Sequence, residues 1–395
     1  MTNYLIRRSF QMLMVLFFSA LVTYTLLALA PGGPWEEILG RQGSETMRID
    51  AEDIARIRAQ YELDLDQTWR FTRWLFGWPN GPIRIGEQEL LADFQVGCFL
   101  PLETTNALGE TVIIGCQKPV TLKDLEGRRV SRGVIFGDFG LSWGILRDRP
   151  VMDVLWSRIP RTLQLMFTVT VLSLMIGIPL GLVSAIRQYS LFDYTVTTLS
   201  FLGSSMPTFF FGIILILIFA ITFKQWGWFY LPPGDAVGSR DYVVPMLGKV
   251  EAKSLLDQVL RMIMPVSVLV FFSVAGWSRF IRSSMLEVLR QDYVRTARAK
   301  GLRENVVILK HAFRNALIPF VTIVVFAIPG MFSGAIVTET IFNWPGMGRL
   351  FIDALSRNDY PVSMSIFLIG AALTVIATLI GDILYTIVDP RIRLS

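Results

Sequence analysis

The sequence predicts an all-α membrane protein with six transmembrane helices. Of its 395 residues, 52% are hydrophobic and only 17% are charged, and the mean hydropathy is +0.50. Ordinary soluble domains carry about a quarter of charged residues, so this chain is too apolar for that class. The composition therefore directs the search for function to membrane proteins.

Six largely apolar stretches are long enough to cross a hydrocarbon core of about 30 Å. They cover residues 10–30, 162–186, 196–223, 262–280, 316–337 and 362–388. The first could also be a signal peptide, but its apolar run is roughly twice the usual length, which favours an uncleaved span. Prolines within the stretches predict kinked helices, and Ser204, Ser205 and Pro207 could break the third.

The positions of lysine and arginine predict that both termini and the fourth connection are cytoplasmic. The cations expected on that side are Arg7, Arg8, Arg187, Arg282, Arg290, Arg295, Arg298, Lys300, Arg303, Lys310, Arg314, Arg391 and Arg393. The short connections on the other side hold fewer. The net charge of +5 therefore reflects membrane topology, and nucleic acid is not expected as a partner.

This topology divides the chain into residues 1–30, the first transmembrane helix; 31–160, an extracytoplasmic loop domain; and 161–395, a core with spans two to six. A connection as long as 31–160 normally has structure of its own. Acidic residues at the start of 50–61, with Ile54, Ile57 and Tyr61 on one face, predict a helix. β-Branched residues predict strand structure at 111–114.

Cys98 and Cys116, the two cysteines of the chain, lie in this outward connection. In an oxidising compartment they predict a structural disulfide, which stabilises by roughly 3 kcal/mol for a short loop. Reduced, buried thiols are the alternative. Two cysteines and one histidine leave few soft ligands, so neither a metal site nor a cofactor is expected.

Catalytic signatures are missing from the sequence. It contains no Walker A, nucleophile-elbow or HExxH motif, and the Pro-Gly-Met-Gly tract at 345–348 does not follow a strand as a phosphate loop would. We therefore expect no catalytic residues and no ATP hydrolysis by this chain itself.

The fourth connection has the most informative pattern. Met285, Leu289 and Tyr293 are spaced by four and predict one apolar helix face, while Gly301 predicts a C-terminal cap. A second helix is expected to begin near Arg303 or Glu304. Such a pair of helices could form a cytoplasmic projection, or the first could lie on anionic lipid as an amphipathic helix.

A long match in this connection resembles a known family. The run Gln291-Asp-Tyr-Val-Arg-Thr-Ala-Arg-Ala-Lys-Gly-Leu302, followed by His311-Ala-Phe-Arg-Asn-Ala-Leu-Ile-Pro319, resembles the cytoplasmic signature of the dipeptide/oligopeptide/nickel permeases of ABC importers. Residues 137–142, 339–349, 359–361 and 389–393 resemble the same family. The resemblance implies a type I ABC importer-like permease in the bacterial inner membrane, carrying peptides or a related small solute.

The resemblance also implies a role for part of the fourth connection, 282–314, as the loop that couples the permease to an ATPase. The residues it assigns to this loop are Asp292, Tyr293, Arg295, Thr296, Ala297, Arg298, Ala299, Lys300, Gly301 and Leu302. The wider superfamily has a Glu-Ala-Ala-x-x-x-Gly pattern here. This chain keeps it at Ala297 and Gly301 and departs from it at Arg295 and Thr296.

The implied partners are a second homologous permease subunit, two ATP-binding subunits, an extracytoplasmic solute-binding protein and the lipid bilayer. Three alternatives stay open: a self-sufficient secondary transporter, an intramembrane enzyme, or the same permease type carrying nickel or another non-peptide solute. Residues 79–136 resemble an insertion of unassigned role. Asp382, inside the sixth span, is expected to pair with a nearby arginine or to reach the membrane interface rather than to mark a pathway.

Overall fold

The computed structural model describes residues 2–29, 51–86, 88–105, 111–128 and 131–388, and these ranges are mostly helical. The helices are α1 Thr2–Leu29, α2 Ala51–Gln60, α3 Gln67–Phe76, α4 Val151–Ile186, α5 Leu191–Ser205, α6 Thr208–Leu215, α7 Leu255–Leu289, α8 Asp292–Ala299, α9 Glu304–Val306, α10 Ile318–Ser333, α11 Ile336–Ile341, α12 Met347–Ser356 and α13 Tyr360–Val388. Wide helical turns extend α6 through Ile216–Thr222 and α9 through Val307–Phe313, and each continues into a short α-helical end, Phe223–Gln225 and Arg314–Ala316 respectively.

Three two-stranded antiparallel sheets complete the described part of the chain. The strands are β1 Ile83–Ile85, β2 Gln88–Leu90, β3 Gln95–Thr105, β4 Thr111–Thr121, β5 Tyr242–Val244 and β6 Gly248–Val250, and each pairs with its neighbour in sequence. The predicted helix near 50–61 and strand near 111–114 are present as α2 and β4.

Six helical stretches of the described chain are long and apolar enough to cross a membrane, which confirms the predicted number. They are Ile6–Leu29, Val151–Ile186, Thr208–Gln225, Leu255–Leu289, Pro319–Ile341 and Tyr360–Leu384. Prolines lie inside three of the helices: Pro160 and Pro179 in α4, Pro265 in α7 and Pro329 in α10.

The third span differs from its prediction. Residues 196–223 do not form one helix, because α5 ends at Ser205 and Met206 takes extended backbone angles before Pro207. Proline restricts the preceding residue to extended conformations and cannot donate a backbone hydrogen bond. The membrane-crossing stretch therefore begins at Thr208, and the break that the sequence suggested at Pro207 is real.

The chain forms two compact units. The first comprises residues Met1–Leu16, Arg158–Ile352 and Ile369–Ser395, and the second comprises Phe17–Ser157 and Asp353–Leu368. In the first, Leu165 and Val169 of α4 pack with Val266 and Val270 of α7 around the buried indole of Trp344. The extension of α6 packs with α7 in a further core.

The second unit has an aromatic core and a separate apolar core beside the hairpin of β3 and β4. Tyr24 of α1 packs against Phe71 of α3, with ring centroids 5.2 Å apart, and Tyr360 of α13 joins the same cluster. Cys98 of β3 and Cys116 of β4 form the predicted disulfide, with their Cα atoms 5.9 Å apart. The disulfide cross-links the two strands of one hairpin.

Buried carboxylates organise two of the turns whose sequences carry the family resemblance. Asp359 accepts hydrogen bonds from the Ser142 hydroxyl at 2.5 Å and from the backbone N–H groups of Trp143, Gly144 and Ile145 at 3.0, 2.9 and 2.9 Å. These bonds satisfy three turn N–H groups that would otherwise need other partners.

Glu339 has a similar structural role in the first unit. Its buried carboxylate accepts from the backbone N–H of Arg349 at 3.0 Å, and a Cβ added to Gly346 would lie 2.5 Å from the carboxylate carbon. The Pro-Gly-Met-Gly tract therefore wraps a carboxyl group that the chain itself supplies. This explains why a glycine-rich turn occurs here without the context of a phosphate loop.

Candidate functional site

The fourth connection forms a short helix, a tight turn and a second helical stretch, as the sequence predicted. Helix α7 ends at Leu289, and Gln291 has extended backbone angles of φ −72° and ψ 147°, so α8 begins as a new helix at Asp292. Glu304 opens α9, within the predicted start.

The break at Gln291 makes one detail of the prediction wrong. Met285 is fully buried, but Tyr293 is 43% exposed and does not continue its face. A spacing of four residues identifies one face only within a continuous helix, and the extended residue restarts the period. The inward residues of α8 are instead Val294 and Ala297, which are 0% and 5% exposed.

Val294 and Ala297 attach α8 to the first unit. They pack in one buried cluster with Ile281 and Met285 of α7 and with Val307, the first residue after α9. Further members of that cluster are Ala185, Ile308, Ala312, Ala316 and Phe320. Sequence reasoning did not select Val294, although its spacing of three from Ala297 within the short helix was a usable signal.

The rest of α8 is open to its surroundings. The exposed side chains that the sequence placed in the coupling loop are Asp292, Tyr293, Arg295, Thr296, Arg298, Ala299, Lys300 and Leu302. Ala297 is the exception, because its methyl group faces the chain's own core. Its small size therefore permits close packing of α8 on α7 rather than contact with another molecule.

Gly301 terminates α8 in the predicted way. Its φ of 74° lies in the left-handed region, where glycine carries little steric cost, and its N–H donates to the Arg298 carbonyl at 2.9 Å. A Cβ added there would meet no heavy atom of the described residues within 4 Å, its two chain neighbours aside. Internal packing thus leaves open space around Gly301, and only the backbone angle favours glycine.

An ion pair spans this turn. Arg298 Nη2 lies 2.7 Å from Glu304 Oε1, and the hydrogen bonds from Arg298 lower the pKa of the Glu304 carboxyl. Both side chains are about half exposed, so the pair contributes little to overall stability. It links the end of α8 to the first residue of α9 and limits the conformations of the turn.

A buried ion pair supports the end of α7. Asp193 of α5 accepts hydrogen bonds from Arg282 Nε at 2.7 Å and Nη2 at 2.8 Å, from the backbone N–H of Tyr189 at 3.0 Å and from the Ser184 hydroxyl. The Arg282 guanidinium holds the pKa of the Asp193 carboxyl well below its usual range. Arg282 precedes Met285 of the α8-binding cluster by one helical turn.

A second pair resolves the expectation for Asp382. Its carboxylate lies 2.7 Å from Arg8 Nη2, so the intramembrane acid pairs with an arginine, which is one of the two arrangements expected for it. His311 lies in the wide turn after α9, where its carbonyl accepts from the Asn315 side chain at 2.8 Å. Within the described residues, no cluster of histidine, cysteine, aspartate and glutamate could hold a metal ion.

The fold and this segment define a multi-pass membrane protein. Residues 177–394 match the family described as the binding-protein-dependent transport system inner membrane component. The chain belongs to this family. The match covers all of α8 and the turn after it.

Curated relatives carry the names of peptide permeases. The chain is 44% identical over 260 residues to the oligopeptide transport system permease protein AppB of Bacillus subtilis, covering 66% of this chain and 77% of the relative. It is 39% identical over 273 residues to the dipeptide transport system permease protein DppB of Escherichia coli K12, covering 66% and 78%. A DppB of Alkalihalophilus pseudofirmus is 31% identical over 401 residues, which span both chains fully and so include 79–136.

Solved structures give a weaker likeness. The inward-facing MetNI methionine ABC transporter matches with a TM-score of 0.45 and 13% identity, over 60% of this chain and 97% of that one.

The packing of α8 gives a first prediction. Replacing Ala297 with Leu should overfill the buried cluster, cost about 1–3 kcal/mol and loosen α8. Faster tryptic cleavage at the arginines and lysine of 295–303 in the purified protein would report this loosening. Ala299→Leu adds the same volume on the exposed face and should leave cleavage at the wild-type rate; equal cleavage of both variants would contradict the assigned inward face.

The Asp193–Arg282 pair gives a second prediction. Asp193→Asn should destabilise the solubilised protein by about 3 kcal/mol at pH 7, since it leaves a partly buried guanidinium without its charge partner. The folded pKa of Asp193 is below its ordinary 3.8, so the pair's contribution is complete at neutral pH and declines as pH falls below that value.

Thermal unfolding of wild type and variant from pH 7 to pH 3 measures this difference. The gap in melting temperature should be largest at neutral pH and narrow below about pH 4. Asp66→Asn is the matched control, because the Asp66 side chain is exposed and makes no capping hydrogen bond to α3. This variant should melt like wild type over the whole pH range. A gap of constant size would show that the charge of Asp193 is not the source of the stabilisation.

Proposed function

We propose that the chain is the transmembrane permease subunit of an ATP-driven importer of peptides, and that α8 with the turn to Leu302 is its contact with an ATP-binding subunit. Membership of the binding-protein-dependent family supports the transport role, and the names of the relatives support a peptide cargo. The observation that carries the contact is the arrangement of α8: two side chains attach it to the core, and its remaining face is open and charged.

The geometry also argues against α8 as a lipid-bound amphipathic helix. Such a helix needs an apolar face directed at the acyl chains. The aliphatic side chain of α8, Val294, is buried with Ala297 in the chain's own core. The exposed face carries Asp292, Arg295 and Arg298, which suit an aqueous protein contact.

Force applied to α8 would reach the spans through its packing. Val294 and Ala297 share a close-packed cluster with α7 and with residues after α9, and dense cores transmit displacement with little compression. Movement of an ATPase during ATP binding and hydrolysis would therefore shift α8 together with the end of α7. The ion pair of Asp193 and Arg282 would carry the shift to α5.

The outer face of α8 and the turn that follows it fit an acidic partner surface. Arg295, Lys300 and Arg303 are exposed, and guanidinium groups form directional, charge-assisted bonds with carboxylates. Leu302, also exposed, adds an apolar contact at the turn. ATP hydrolysis would occur entirely in the partner.

The proposed assembly places this chain in the bacterial inner membrane with both termini in the cytoplasm. Residues 1–30 form its first helix, 31–160 an extracytoplasmic domain and 161–395 the permease core with the coupling segment 282–314. A second homologous permease subunit, two ATP-binding subunits and an extracytoplasmic solute-binding protein complete the importer.

Replacement of Gly301 tests the partner contact. Asparagine tolerates the left-handed conformation, so Gly301→Asn should leave membrane insertion and the turn intact. Its side chain would nevertheless project into the open space that we assign to the ATPase, and uptake of a labelled dipeptide by cells carrying the whole importer should be abolished. Copurification of the ATP-binding subunit should fall in parallel.

Gly227→Asn is the matched control. Gly227 has a φ of 69°, and a Cβ there also meets no other described residue within 4 Å beyond its chain neighbours. It lies in the third connection between spans, which the predicted topology places on the side opposite the fourth connection. This variant should transport normally. Normal uptake by Gly301→Asn would contradict the proposed close approach of the ATP-binding subunit to this turn.

A further inference from the structure

A cavity of about 280 Å³ lies within the second unit. Helix α3 contributes Arg70 and Trp74, α1 contributes Tyr24, and α13 contributes Tyr360. The chain between α3 and α4 supplies Asp138 and Trp143, among other residues. Aromatic rings and charged groups thus face the same space, which is the usual make-up of a small-ligand site.

Two hydrogen-bond donors at this cavity lack strong acceptors. Arg70 and Trp74 are four residues apart on α3 and therefore share a helix face. Arg70 Nε lies 3.4 Å from the Tyr24 hydroxyl, and no carboxylate among the described residues pairs with its guanidinium. The buried indole Nε1 of Trp74 has no acceptor within the described chain. An unpaired buried donor costs about 1–3 kcal/mol, so a ligand atom that accepts from it would be stabilising.

The neighbouring charges are already engaged. Arg73 Nη2 lies 2.7 Å from Glu62 Oε1, and Arg73 Nη1 donates a hydrogen bond to the Pro79 carbonyl. Asp138 accepts from the backbone N–H groups of Arg132 at 2.8 Å and Gly140 at 3.0 Å. The guanidinium of Arg70 is thus the group that a ligand can engage, and it calls for an anion.

The depth of the cavity points to the source of that anion. Tyr24, Leu27 and Ala28 lie in the last two turns of the span Ile6–Leu29, and Tyr360 and Met364 lie in the first turns of the span Tyr360–Leu384. The ends of spans lie where hydrocarbon meets headgroups, a level at which tyrosine and tryptophan are enriched.

The surface of α1 at that level suits acyl chains. Val22, Leu26 and Leu29 are among its large exposed side chains. A phospholipid would place its phosphate at the headgroup level and its tails along this apolar surface.

We propose that this cavity binds the phosphate of a membrane phospholipid headgroup. The Arg70 guanidinium pairs with the phosphate oxygens, and Trp74 Nε1 donates a hydrogen bond to the same headgroup. Free phosphate offers the same oxygens without the acyl chains, so the two sources are separable by experiment.

Native mass spectrometry of the delipidated full chain in detergent tests the site, with phosphatidylglycerol as the probe. Arg70→Gln and the conservative Trp74→Phe should each weaken the tightest lipid binding by about tenfold, equivalent to 1.4 kcal/mol. Arg56→Gln changes an exposed arginine of α2 outside the cavity and should bind like wild type. Melting temperatures establish that the compared variants are folded.

Three further probes distinguish the sources of binding. Dioleoylglycerol, which lacks phosphate, should not occupy the site, and inorganic phosphate and glycerol 3-phosphate should bind far more weakly than the lipid. Unchanged lipid affinity in Trp74→Phe and Arg70→Gln, or equal binding of dioleoylglycerol, would overturn the proposal. Binding of inorganic phosphate as tight as that of the lipid would reassign the site to a soluble anion.

Discussion

The packing of Val294 and Ala297 against α7 is the contact on which the functional interpretation depends. A helix of eight residues is too short to be stable alone, so α8 exists because its inner face is buried. The same burial orients every other side chain of α8 outward. One small apolar contact thereby fixes the helix, exposes its charges and joins it mechanically to a membrane span.

Buried carboxylates perform a comparable task elsewhere in the chain. Asp359 and Glu339 each accept hydrogen bonds from backbone N–H groups of glycine-containing turns. Asp193 accepts hydrogen bonds from the Arg282 guanidinium and from the backbone N–H of Tyr189. Connections between spans have few apolar residues to bury, so charge-assisted bonds can define their shape instead. Within the matching ranges 339–349 and 359–361, Glu339 and Asp359 therefore have structural roles, whereas most of the matching side chains of α8 are exposed.

Features governed by local rules could be predicted from the sequence. Apolar length revealed the six spans, Gly301 revealed the end of α8, and the two cysteines in one outward connection revealed their disulfide. The pairing of Asp382 with an arginine was one of the two arrangements expected, because an intramembrane charge requires a partner or access to the interface.

Features that depend on tertiary contacts could not be predicted. Asp193 and Arg282 are 89 residues apart, and no local sequence pattern around either residue identifies the other as its partner. The break at Gln291 moved the buried face from Tyr293 to Val294, since no proline or glycine marks that boundary. The cavity beside Arg70 requires three helices and a loop to meet, which no single segment of sequence reports.

Photocrosslinking from Thr296 is the most direct test of the coupling contact. Thr296 is exposed on α8, so a photoreactive amino acid placed there should leave the buried cluster unchanged. In membranes containing the assembled importer, we expect crosslinks to an ATP-binding subunit, with a yield that changes when ATP is added. Crosslinks to lipid alone, with none to an ATP-binding subunit, would contradict the role assigned to α8.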